Sequence, residues 1–171
     1  MRKFSILFFV LTLVLSACSS DDSPLETSGN IVGTWIGVDV DYTGTSETTA
    51  SGETIKATFV GESYDANYSL IFTENPNEVI SEGTYSLKLT TKVSEQTQVS
   101  NSENLTFLNS GTWDKVGDQL TIVGDGQTST ATILELTDTT LKIEINETQS
   151  VSAQDVTVKY VIDVIATYTR Q

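Results

Sequence analysis

The sequence predicts an all-β domain: an antiparallel up-and-down barrel of eight to ten strands, with a β-sandwich as the alternative. Three observations lead there. Past residue 30 the apolar residues never repeat at the helical period, but several runs repeat at two. Turn-forming residues recur between those runs at spacings that suit a meander. Threonine is abundant, which suits solvent-facing strand positions.

In chain order, the first element is a leader. Arg2 and Lys3 precede an apolar run from Ile6 to Leu15 broken only by Thr12. Ten residues rise only ~15 Å as a helix, half of a roughly 30 Å hydrocarbon core, so the run reads as an export signal and not a membrane span. Leu15-Ser16-Ala17-Cys18 closes it and resembles a bacterial lipobox. The resemblance implies cleavage before Cys18 and a diacylglycerol on its sulfur. Residues 1–17 are then a signal peptide, 18–30 the lipidated cysteine with a flexible tether, and 31–171 the barrel domain. The tether is polar and acidic and contains Pro24 and Gly29. Its Ser20-Asp21-Asp22 resembles the acidic signal that sends Bacteroidetes lipoproteins to the cell surface. The expected location is the outer membrane, lipid-anchored, at the cell surface or the periplasmic face.

Nine candidate strands follow: Ile31–Val40, Ile55–Gly61, Asn67–Thr73, Gly83–Lys92, Glu103–Trp113, Asp118–Val123, Thr128–Leu136, Leu141–Asn146 and Val156–Val164. Leu141-Lys142-Ile143-Glu144-Ile145-Asn146 shows the alternation best, with apolar residues facing inward and polar ones outward. Gly117-Asp118 and Asp125-Gly126 mark tight hairpins, because glycine accepts positive φ without strain. Thr137-Asp138 marks another turn, and Asn75-Pro76-Asn77 bars continuation of a strand. Asp41 to Glu53 and Val93 to Asn104 are polar and read as long loops.

Charge and composition restrict the chemistry. The chain carries nine basic and 23 acidic residues, a net charge of −14. Loss of Arg2 and Lys3 with the leader leaves seven basic residues, and the net charge becomes −16. Nucleic acid is not an expected partner of such a surface. Cys18 is the only cysteine and there is no histidine, so no intrachain disulfide, cysteine metal cluster or histidine-based triad is available. Asp39 and Asp41 stand two apart on a strand, and Asp114, Asp118 and Asp125 lie near turns. Exposed strand ends and turn chemistry account for them without a carboxylate pair or a calcium site. No Ser-x-x-Lys or Gly-x-Ser-x-Gly is present. The domain is read as non-enzymatic, without a cofactor or metal.

Gly33-Thr34-Trp35 resembles the Gly-x-Trp signature on the first strand of lipocalins. Gly111-Thr112-Trp113, with Asp118 to Ile122 and Ala131 to Leu141, resembles the lipocalin-like domains of many Bacteroidetes lipoproteins. The resemblance implies a barrel with Trp35 plugging the closed end. It also implies a late arginine packed over that tryptophan, for which Arg170, the only arginine after the leader, is the candidate. The Thr-Asp-x-x-Tyr segment of standard lipocalins is missing. The inner rows mix bulky Phe59, Phe72, Tyr85, Phe107 and Tyr160 with small Ala57, Gly61, Ala131 and Ala166. Ala57, Phe59, Phe72, Tyr85, Phe107 and Tyr160 are the candidate ligand-lining residues, around a pocket of roughly 300 Å³ or more opening opposite Trp35. Tyr42 and Tyr64 are placed at the rim. The expected function is binding a small apolar or amphipathic ligand. The alternative is a surface module that recognises glycan or protein through its loops over a filled core. The expected partners are the membrane, through Cys18, and a small hydrophobic ligand; the domain is read as a monomer.

Overall fold

The computed structural model describes residues 27–171; Cys18 and the leader lie outside the described residues. Among the described residues nine strands follow one another without a helix: β1 (Gly33–Ala50), β2 (Glu53–Thr73), β3 (Glu78–Val93), β4 (Gln96–Leu105), β5 (Gly111–Val116), β6 (Gln119–Gly124), β7 (Gln127–Leu136), β8 (Thr140–Ala153) and β9 (Val156–Arg170). All pairings are antiparallel. The order is β2-β1-β9-β8-β7-β6-β5-β3-β4, and β2 also pairs with β3, which closes the sheet into a ring. The barrel expectation holds, and the sandwich alternative falls away.

The ring closes over only part of its height. β5 meets β3 at Val79↔Gly111 and Glu78↔Thr112, near the Trp35 end. Further along β3, the register passes to β4, from Tyr85↔Leu105 to Val93↔Gln96. β7 pairs with β8 only from Leu136↔Leu141 to Thr132↔Glu144, whereas β8 continues beside β9 to Ala153↔Val156. The short strands β5, β6 and β7 therefore wall one half. Beyond them β4, β3, β2, β1, β9 and the far part of β8 run on as a curved sheet. Its two borders are the outer edge of β4 and the far edge of β8. Bulges lie near the change: the register shifts between Ile36 and Asp41 in β1 and between Tyr64 and Asn67 in β2. An extra residue on one strand bends it and increases its twist. Ser63 satisfies the displaced groups, accepting from Val40 N at 2.8 Å and donating to Asp39 Oδ1 at 2.7 Å.

The closed half is solid. Trp35, Tyr85, Tyr168, Phe72, Leu70, Leu120, Ile133, Leu136, Leu141 and Ile143 have almost no exposed surface. Trp113 adds an edge-on contact to Phe72 at 5.8 Å and donates its indole N–H to Thr73 O at 2.9 Å. Trp35 donates to Ile31 O at 2.7 Å. Arg170 caps this end. Its Cζ lies 4.2 Å from the Trp35 ring centroid, Nε donates to Asp138 O at 2.8 Å, and Nη1 donates to Val32 O at 2.8 Å. Nη2 donates to Asn30 O. Gly33 makes room for it: φ is +139°, and the guanidinium occupies the space a Cβ would take. Docking of the chain onto the barrel starts before the expected residue 31, since Gly29 N donates to Leu136 O at 3.0 Å.

The strand count agrees with the sequence reading, but the strands are drawn differently. Ile55–Gly61 and Asn67–Thr73 are one bulged strand, β2. Asp41 to Ala50, read as loop, continues β1, and Gln96 to Ser102, also read as loop, makes up most of β4. Glu103–Trp113 is broken between Leu105 and Gly111, so Phe107 stands in a connection. The hairpin signals form as read: Asp125 and Gly126 both take positive φ, as does Gly117.

Candidate ligand groove

The concave face of the open half is a groove of about 420 Å³ lined by Tyr42, Ser46, Phe59, Leu87, Leu89, Thr91, Tyr160 and Ile162. Strand periodicity assembles it. Tyr42, Gly44 and Ser46 of β1 pair with Gly61, Phe59 and Ala57 of β2 and with Val164, Ile162 and Tyr160 of β9. Phe59 and Gly61 in turn pair with Thr91 and Leu89 of β3. Alternate residues share a face, so these four strands contribute one apolar floor. Gly44 sits at its centre, where a Cβ would lie 2.4 Å from the Phe59 ring. Lack of a side chain there lets Phe59 lie flat across β1 instead of standing up into the groove.

A smaller hollow of about 150 Å³ shares Tyr42 and Ile162 with the groove and adds Phe107, Ile145, Glu147 and Val164. Tyr42 therefore lines both spaces. Its hydroxyl lies 2.5 Å from that of Tyr85, which belongs to the filled core beneath. Tyr85 packs on Tyr68 at 5.5 Å, and Tyr68 on Tyr168 at 5.3 Å. Burial pushes the phenol of Tyr42 upward, an effect partly offset by the Tyr85 hydroxyl. Burial also drives Tyr68, Tyr85 and Tyr168 well above the ordinary phenol range. These four are neutral hydrogen-bonding groups throughout the physiological range. The Tyr168 hydroxyl is buried without a hydrogen-bond partner among the described residues.

The flanks are polar. On β4 the residues facing Leu87, Leu89 and Thr91 are Ser102, Ser100 and Gln98. On β8 those facing Ile162 and Tyr160 are Glu147 and Gln149, and the Gln149 amide donates to Glu147 at 2.9 Å. Where β7 and β8 part, Thr128, Ser129, Thr130 and Asn146 line a polar notch of about 240 Å³. The arrangement offers hydrophobic contact with hydrogen-bonding borders. Among the described residues no cluster of three or more acidic side chains is placed to hold a metal. Asp41 is raised by partial burial and by Asp39 beside it, and Asp39 is occupied by Ser63.

Residues 31–143 match the family described as the lipocalin-like domain, and residues 1–19 match the prokaryotic membrane lipoprotein lipid attachment site. The chain belongs to the lipocalin-like domain family. It also carries the attachment site that roots such proteins in a membrane. No curated protein and no solved structure matches the chain.

Within this lipocalin-like domain the sequence-selected residues divide. Phe59 and Tyr160 line the groove, and Phe107 lines the adjoining hollow. Phe72 and Tyr85 are each 1% exposed and packed in the closed half, so they do not border the groove. Ala57 is buried on β2 two residues beyond Phe59, at the groove's outer end. Trp35 and Arg170 meet at the closed end. Tyr42, Ser46, Leu87, Leu89 and Ile162 were not singled out as lining residues. Tyr42 had a signal: it continues the inward parity of Val40, which alternation carried two residues further would have reached.

Proposed function

We propose that the lipocalin-like domain binds a small apolar or amphipathic ligand in the open groove, without catalysis and as a monomer. The observation that carries this reading is the groove itself. It offers about 420 Å³ of mostly apolar space at neutral pH, beside a core too tightly filled to hold anything else. That volume falls within the usual range for small-molecule sites. Against recognition through loops stand the tips of the open end, Ser51-Gly52, Ser94-Glu95 and Gln154-Asp155, each only two residues long. The acidic residues after Cys18 and the acidic surface favour anchoring at the outer membrane, in the manner of Bacteroidetes surface lipoproteins. Recovery of the protein from the inner-membrane fraction would overturn that placement.

The groove is tested by filling it. Ser46→Trp places an indole on the floor at a partly exposed position that the core does not use. Calorimetric titration with short single-chain amphiphiles below their micellar concentrations should show saturable binding to the wild-type chain, and at least tenfold weaker binding to the variant. Equal binding by both would remove the groove from consideration.

A further inference from the structure

Every lysine of the open half stands on the convex face. Lys56 pairs across the sheet with Glu47, Lys88 with Glu62, Lys92 with Thr58 and Lys159 again with Glu47. The opposite parity, Tyr42, Phe59, Leu87, Leu89, Tyr160 and Ile162, makes the groove. The concave positions therefore hold no positive charge. They hold one carboxylate beside the floor, Glu147, which borders the hollow shared with Tyr42 and stands directly across from Ile162. Glu53, the other acid of that parity, is at a hairpin tip.

We infer that the groove takes a single-chain amphiphile with a cationic head group, its tail lying across Ile162, Phe59 and Leu89 and its head beside Glu147. The inference rests on the reading of the groove as a ligand site. From β9 to β3 is three strand spacings, ~14 Å, the length of a tail of roughly ten carbons. The floor contributes only apolar contact and cannot discriminate heads. Glu147 can, because it attracts an ammonium and repels a sulfate or carboxylate with no lysine on that face to compensate. The Tyr42 hydroxyl beside it accepts a hydrogen bond from an ammonium N–H without carrying charge. The domain's own net charge adds to the preference at low salt.

The test uses the lipidated chain in phosphatidylcholine vesicles. Gln98→Cys, on the exposed flank of β4, carries an environment-sensitive fluorophore, and protein-free vesicles correct for partition. Decylammonium, decanol and decyl sulfate share one tail and differ in head. The cation should bind about tenfold tighter than the sulfate, with decanol between, and the spread should narrow in high salt. Glu147→Gln, at an exposed position, should close at least half of that gap. Decyl sulfate binding as tightly as the cation overturns the head preference and leaves the groove reading standing. A preference undiminished in Glu147→Gln overturns the role of that residue. Binding of none of the three overturns the groove reading itself.

Discussion

Arg170 does at one end of the barrel what no carboxylate partner could do as well. It binds three backbone carbonyls from two segments, Asn30 and Val32 ahead of β1 and Asp138 between β7 and β8, and covers Trp35. The bond to Val32 O is half-buried, whereas those to Asn30 and Asp138 lie toward solvent. Arg170→Met should keep the stem and lose the bonds, lowering stability by roughly 2–4 kcal/mol in urea unfolding with an unchanged slope. The buried tyrosines make a second comparison. Tyr85 shares its hydroxyl with Tyr42, so Tyr85→Phe should cost about 1 kcal/mol. Tyr168 carries a buried hydroxyl with no partner among the described residues, so Tyr168→Phe should be neutral or stabilising. Thermal unfolding of the two variants side by side separates these outcomes; an equal loss in both would contradict the asymmetry.

At the scale of the strand, legibility followed burial on one face. Tyr85, Leu87 and Leu89 of β3, or Leu141, Ile143 and Ile145 of β8, pack on the core or line the apolar groove, and their alternation is plain in the sequence. β4 lies at the border with its concave face over the groove mouth, where water is present on both sides. Its concave residues are Gln96, Gln98, Ser100 and Ser102, which leave no hydrophobic period to read. The far part of β1 fails for a related reason. Gly44 and Ser46 are small because Phe59 and Tyr160 of the flanking strands supply the apolar cover. The contribution is cross-strand, and single-strand periodicity cannot register it. Phe72 and Tyr85 show the converse: parity put them on the inner face correctly, but not at which height the interior stops being full. β4 pairs only with β3, so amide exchange should be fast at the β4 amides that point outward and slow along β1 and β9, which are paired on both sides. Uniform protection across β4 would mean that its outer edge is covered.

Across the whole molecule, the tyrosine cluster sets an alkaline limit. Tyr42, Tyr68, Tyr85 and Tyr168 all ionise above their ordinary range in the folded chain, chiefly through burial. The unfolded chain gives up those protons near pH 10. Above that pH the folded state holds more protons than the unfolded one, so stability falls as pH rises. Below pH 10 these groups contribute no slope. Tyrosinate absorbance from these four should therefore appear only as near-ultraviolet dichroism collapses. Complete ionisation of these four in a still-folded chain would break that link.

The position of Gly29 has a consequence for how the molecule stands. The chain arriving from Cys18 is pinned beside Trp35, by Gly29 to Leu136 and by Asn30 to Arg170. The segment that carries the attachment site thus enters at the filled end. From Trp35 to Ser46 is eleven residues of β1, ~35 Å of strand, so the mouth opens far from the end at which the chain enters the barrel. The incoming chain and an occupant of the groove therefore never contend for the same end of the barrel.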